Sequence, residues 1–170
     1  AVMGFLREVI RYSGEQQPFL MGILVAVLMG VFLTLPISSA AIGLILGLDG
    51  IVAGAAVVGC CTHMVGYAVM SFRENKWGGL LAQGVGTSML QMPNLVRKPI
   101  LWLPPVIVSA ILGPISTCAL KITSTATGSG MGTAGLVGIF ETVTSMVEGG
   151  MNVWLAITEI VCFDMLLPAA

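Results

Sequence analysis

A polar interruption between two long apolar runs constrains this chain more than any other feature. From Arg73 to Pro99 it reads RENKWGGLLAQGVGTSMLQMPNLVRKP and carries four of the seven basic residues, paired as Arg73 with Lys76 and Arg97 with Lys98. The glycine-rich middle is too short and too polar for an ordinary membrane span. Cytoplasmic loops collect Lys and Arg, which puts both pairs on one side of a bilayer. The middle then dips into the membrane and returns, and irregular backbone at that depth is tolerated only where protein buries it or it lines a water-filled cavity. That is the layout of a solute pathway, with residues 73–99 as a cytoplasmic-side re-entrant region.

Composition agrees that lipid is the main solvent. The 170 residues are 56% hydrophobic and 9% charged, with a mean hydropathy of +1.01, whereas a soluble domain carries roughly 25% charged residues. A net charge of −1, with no basic tract or aromatic-basic patch, argues against a nucleic-acid partner. Cys60, Cys61, Cys118 and Cys162 make no metal-ligand pattern. In apolar segments they read as small buried thiols, and neither metal nor cofactor is expected. The chain shows no signal-peptide pattern, opens without methionine and stops just after a strongly apolar run, so it is expected to be part of a longer protein.

In chain order, residues 1–16 gather Phe5, Leu6, Val9, Ile10 and Tyr12 near one helical face opposite Arg7, Glu8 and Arg11, as an interfacial amphipathic helix would. The alternative is the end of a preceding span. The uncharged run Phe19 to Leu35 is near the lower limit of the ~17 to 25 residues a spanning helix needs. Pro36, Ser38 and Ser39 then break it before a second apolar piece, Ala40 to Leu48. The break is either a discontinuous helix of the kind found at transporter binding sites or a plain proline kink. Ile51 to Phe72 is long enough to cross, and its small residues allow close helix approach. It places His63, the only histidine, near mid-membrane, where an ionisable side chain is a functional candidate unless it is simply bonded to a neighbouring helix.

Within the interruption, Gln83, Thr87, Ser88 and Gln91 are neutral hydrogen-bonding groups. Amides both donate and accept, which suits an uncharged polyhydroxylated ligand better than an ion. Ile100 to Ile122 is another span, with a break at Gly113-Pro114. Counting Arg7 and Arg11 as inside, both this helix and the first run outward. Residues 123–135, almost all Gly, Ser, Thr and Ala, are either a linker or a solute-contacting loop. Gly135 to Val147 is too short to cross alone and carries Glu141, and the following run embeds Glu159 and Asp164. At least one of these carboxylates is expected to line the pathway.

Leu35-Pro36-Ile37-Ser38-Ser39-Ala40, the run from Ser71 to Met92, Gly113-Pro114-Ile115-Ser116-Thr117 and Gly128-Ser129-Gly130-Met131-Gly132-Thr133, read together, carry a family resemblance. The chain is similar to the membrane (IIC) subunits of the bacterial sugar phosphotransferase system, in particular to the branch that includes perfringolysin-regulator-like membrane proteins, and to the C-terminal half of the usual family length. The resemblance implies an all-α, polytopic protein of the bacterial inner membrane, with broken helices and re-entrant hairpin loops. It further implies a homodimer that binds a sugar and presents it to a phosphorylated cytoplasmic IIB-type subunit, with no phosphate-carrying residue of its own. A membrane histidine and a hairpin glutamate contact sugar in such proteins, and His63 and Glu141 match them here. Gly138-Ile139-Phe140-Glu141 departs from the family's Gly-Ile-Thr-Glu in its phenylalanine.

In this reading Gln83, Gln91 and Asn94 bond sugar hydroxyls and His63 orients the ligand. Glu141, or else Glu159, acts as general base towards the hydroxyl to be phosphorylated. Two rivals use the same residues differently. A regulatory or sensory protein would keep the permease fold without phosphoryl transfer, and an ion-coupled transporter would use His63 and the carboxylates as a proton relay.

Overall fold

The computed structural model describes residues 17–150 together with Gly4, Glu8, Asn152, Trp154, Ile157 and Thr158. Most of the expected interfacial helix at 1–16, and also Glu159, Asp164 and Cys162, lie outside the described residues. Among the described residues the chain consists of helices joined by turns and short irregular stretches, and its one β feature is an isolated antiparallel bridge between Gly50 and Ser124.

Helix α1 (Pro18–Thr34) opens with proline at its first turn, where the missing N–H is no loss. It stops because Leu35 precedes Pro36 and is extended, at φ −73°, ψ 154°, as pre-proline residues are driven to be. Helix α2 (Ser39–Leu46) is capped by the Ser38 hydroxyl, which accepts from Ala41 N, and it ends on Gly47 at φ 64°. The Pro36 region is therefore a true discontinuity with its own caps, not a kink within one helix. Asp49 caps α3 (Gly50–Leu81) by accepting from Gly50 N.

Helix α3 is the axis of the molecule. Every residue from Ala53 to Met64 is buried. The approach of α1 depends on missing side chains: a Cβ on Gly59 would overlap the Ala26 backbone, and one on Gly30 would overlap the His63 ring. Helix α5 (Leu103–Ile115) packs on both. Its Gly113 lies on Gly22 of α1, and Thr117 just beyond it donates to Pro18 O at 3.1 Å. Early α1 thus meets late α5, so these two helices are antiparallel. They cannot both run outward, as the basic residues at 7 and 11 suggested. The reason is α2 and the turn after it: together they return the chain, so that α3 starts near the level where α1 started and runs parallel to it.

The expected break at Gly113-Pro114 falls one residue later than the motif. Pro114 sits inside α5, and the helix then loosens into a π turn over Ser116–Leu120, the usual accommodation of a missing backbone donor. Cys118 on that turn is exposed, contrary to the expectation of four buried thiols, because the turn rotates it off the packed face. Cys60 and Cys61 are buried.

Helix α3 also runs past the predicted end of its span. Arg73, Glu74 and Asn75 continue it, and the axis breaks at Lys76, at φ 47°. The chain then doubles back on α3. Gly84, in a π turn over Ala82–Gly86, packs on Ala68. A 3-10 turn (Ser88–Gln91) and the short α4 (Met92–Arg97) bring it back to the level of Ser71 and Glu74.

Among the described residues two segments are long and apolar enough to cross a membrane by length and composition, Gly50–Gly86 at mean hydropathy 1.6 and Pro99–Leu120 at 1.8. They differ in surroundings: 83% of the first apolar window is buried inside the protein against 39% of the second. On α5 the large residues Leu103, Ile107 and Ile111 point outward while Ser109 and Gly113 point in. That polarity suits a helix whose outer solvent is hydrocarbon.

Candidate functional site

One face of α3 sets the site. His63, Tyr67, Ser71 and Glu74 follow at intervals of four, four and three residues and so form one polar stripe on an apolar helix. His63, Tyr67 and Ser71 are buried. The His63 Nδ1 lies 3.0 Å from Gly59 O, and since a carbonyl only accepts, Nδ1 carries the proton in that bond. The imidazole meets the Tyr67 ring edge-on, with centroids 6.0 Å apart. Among the described residues the Nε2 of His63 and the hydroxyl of Tyr67 have no hydrogen-bond partner.

Against the upper part of this stripe the doubled-back segment places its amides. Tyr67, Ser71 and Glu74 form one wall of a cleft of about 310 Å³, and Gln91, Asn94, Arg97 and Lys98 form the other. A second hollow of about 440 Å³ is lined by Asn75, Gly79, Gln83, Gln91 and Asn94 among others. Gln91 and Asn94 are common to both, and Asn94 Nδ2 donates to Gln91 Oε1 at 2.8 Å. Gln83 and Ser88 are buried, and the Gln83 Oε1 and Ser88 Oγ are without partners.

All four buried orphan polar atoms found among the described residues, on His63, Tyr67, Gln83 and Ser88, therefore belong to the α3 stripe or to the segment folded on it. Native proteins leave few such groups, since each costs about 1–3 kcal/mol. Of the four residues, Tyr67 lines the first hollow and Gln83 the second.

The structure thus gathers Gln83, Gln91 and Asn94, three residues that the sequence put forward, around shared hollows. His63 lies one turn of α3 below Tyr67. Glu141 stands apart. Helix α6 (Val137–Glu148) starts with Gly138 against Gly132, which itself rests on Cys60 and Cys61. The helix then runs towards the first turns of α3, where Thr142 meets Ser124, the bridge partner of Gly50. Tyr67 is roughly 10 Å further along α3 than Cys60 at 1.5 Å per residue, so Glu141 and the amides lie on opposite sides of His63. The half-buried Glu141 accepts from Thr125 Oγ1 at 2.8 Å.

Tyr67 and Ser71 were not singled out as ligand contacts from sequence, whereas Ser88 stood among the neutral hydrogen-bonding groups of the interruption. The signal that finds the first two is the four-residue spacing from His63. Among the described residues no group of three or more His, Cys, Asp or Glu is placed to hold a metal ion.

A family model described as the phosphotransferase system, EIIC, matches residues 1–169. Nothing matches among curated proteins or among solved structures.

Proposed function

The chain belongs to the phosphotransferase system EIIC family, the membrane component of phosphotransferase sugar permeases, and from that premise we propose that it binds a sugar at the amide cleft and presents it there to a phosphorylated cytoplasmic IIB-type subunit. The observation that carries the reading is the gathering of three neutral amides around two adjoining hollows, with the Tyr67 hydroxyl of the first and the Gln83 Oε1 of the second buried without partners among the described residues. Gln83, Gln91 and Asn94 offer donors and acceptors together, the pattern that hydroxyls satisfy and a simple ion does not. Arg73, Lys76, Arg97 and Lys98 stand at this end of α3, and an excess of Lys and Arg marks the cytoplasmic side. With that side fixed, α3 and α1 run inward and α5 runs outward in a multi-pass protein of the bacterial inner membrane. The segment 77–98 is then a re-entrant hairpin held against α3.

A general base must come within hydrogen-bond reach of the hydroxyl to be phosphorylated. Glu141, on the far side of His63 from the cleft, therefore acts on sugar before it moves to the cleft, with His63 as the ligand-orienting group between them and Glu159 as the other candidate for the base. The order along α3 gives the path a direction: carboxylate and hydroxyls first, imidazole next, amides last at the cytoplasmic mouth. The lipid-facing α5 leaves room for a second protomer, and a homodimer is part of the proposal.

Sugar binding by the purified full-length protein tests it, scanned by thermal shift across hexoses, hexitols, pentitols and disaccharides. A sugar-specific rise in Tm is expected, weakened at least about tenfold in affinity by Gln91→Ala, because a sugar hydroxyl would lose its partner. Glu141→Gln is expected to spare binding and to abolish phosphodonor-dependent uptake. A folded protein stabilised by no sugar sinks the reading.

A further inference from the structure

We propose that the cleft is bipartite, with its amide end holding sugar hydroxyls and Arg97 with Lys98 holding a phosphate ester, so that it binds a sugar phosphate more tightly than the parent sugar. The inference rests on the permease reading and deepens it, by making the phosphorylated product a ligand of the same site. Two independent observations point to a ligand of this kind.

The first is an imbalance of charge. Arg97 and Lys98 line the same cleft as Gln91, Asn94 and Tyr67. Among the described residues neither makes an ion pair or a side-chain hydrogen bond, although Glu74 lines the opposite wall. Two cations against one carboxylate leave the cleft with one net positive charge. A neutral sugar has no use for it, whereas a phosphate ester carries about −1.5 to −2 and three strong acceptor oxygens, and the planar Arg fork matches it. The second is the buried, unpartnered Tyr67 hydroxyl on the floor of this cleft. The cleft's volume, about 310 Å³, is at the small-ligand end of the roughly 300–1,000 Å³ range of binding pockets. That is room for one sugar phosphate. Held this way, product occupies the mouth and delays the next sugar until it dissociates, which makes the cleft a point of inhibition by cytoplasmic sugar phosphate.

The test titrates the intact protein with hexoses and hexitols, with their terminal phosphate esters, and with inorganic phosphate, in wild type and in Arg97→Gln, Lys98→Gln and Glu74→Gln. The best ester is expected to bind about tenfold or more tighter than its parent, the scale of a charge-assisted contact. Arg97→Gln and Lys98→Gln should each remove most of that preference and leave parent-sugar affinity within about twofold. Glu74→Gln should raise ester affinity alone. Parent sugar bound with no ester preference overturns this inference and leaves the permease reading standing. Failure of both to bind a folded protein overturns both. Inorganic phosphate bound as tightly as the ester assigns the cations to a bare phosphoryl group, such as that of the phosphorylated partner subunit, and overturns the bipartite site.

Discussion

Two glycine-rich polar segments lie against α3, and they treat their polar groups in opposite ways. In 123–142 the groups close on one another. Ser39 donates to Gly130 O, Ser129 to Ala126 O, Thr142 to Gly138 O with its hydroxyl oxygen 3.0 Å from Ser124 Oγ, and Thr125 to Glu141. In 83–98 the Oε1 of Gln83 and the Oγ of Ser88 have no partner, and Gln91 is tied to the protein through Asn94 alone. The same residue types have been used to build a wall in one place and a receptive surface in the other. Glycine, serine and threonine content therefore does not locate a binding site, whereas the accounting of partners does.

The comparison breaks most visibly at Gly130. A Cβ there would overlap the backbone of Ser39 and Ala40, two main-chain segments that cannot rotate away. Gly130→Ala is expected to cost about 3 kcal/mol, at the upper end of overpacking effects, read as a lower Tm in detergent and reduced yield of folded protein. Gly78 has nothing near its own missing Cβ, and Gly78→Ala should leave Tm almost unchanged. Equal effects of the two would remove the distinction between a closed wall and an open hairpin.

How much of this could be read beforehand follows the range of the interaction. The stop at Pro36 and the shortness of the helix bearing Glu141 are local, set by a missing donor and an apolar run length, and the sequence displays them. The grouping of Gln83, Gln91 and Asn94 was legible because all three lie within one returning hairpin. The direction of α1 was not, since it depends on how far α2 and the turn after it carry the chain back before α3 begins. Nor was the continuation of α3 through Arg73, Glu74 and Asn75. Arg and Glu are good helix formers, and their charge marks a membrane boundary without marking a helix end. The pairing of Ser124 with Gly50 joins residues 74 positions apart, and no spacing rule in the chain announces it.

A smaller effect sharpens the accounting within the closed segment. Thr142→Val keeps the side-chain volume and removes the hydroxyl that donates to Gly138 O at 2.7 Å and lies 3.0 Å from Ser124 Oγ. The buried Ser124 hydroxyl then loses the one side-chain partner it has among the described residues. Membrane hydrogen bonds average about 0.6 kcal/mol with a maximum of about 1.7, and a loss of about 1 kcal/mol is expected in the same Tm assay. Ser124→Ala made on top of Thr142→Val should restore part of it, since no orphan would remain. A double variant worse than the sum of the singles would show that the two hydroxyls are not each other's partners.

The smallest effect is the most informative, because its sign is reversed. Tyr67 is buried with its hydroxyl unpartnered, and its ring already packs edge-on against His63. Tyr67→Phe keeps the ring contact and removes only the group that pays for burial without a bond. Without ligand, stability is therefore expected to rise, by about 0.5 kcal/mol and at most about 1. Saturating sugar should narrow or invert that gain, because the wild-type hydroxyl then finds an acceptor and the variant has none to offer. The two Tm differences, with and without sugar, must have opposite trends if 83–98 and the α3 stripe are a surface awaiting a ligand. A Tyr67→Phe protein destabilised as much as Thr142→Val, with sugar making no difference, would place Tyr67 in a closed network like that of 123–142 and dissolve the contrast between the two segments.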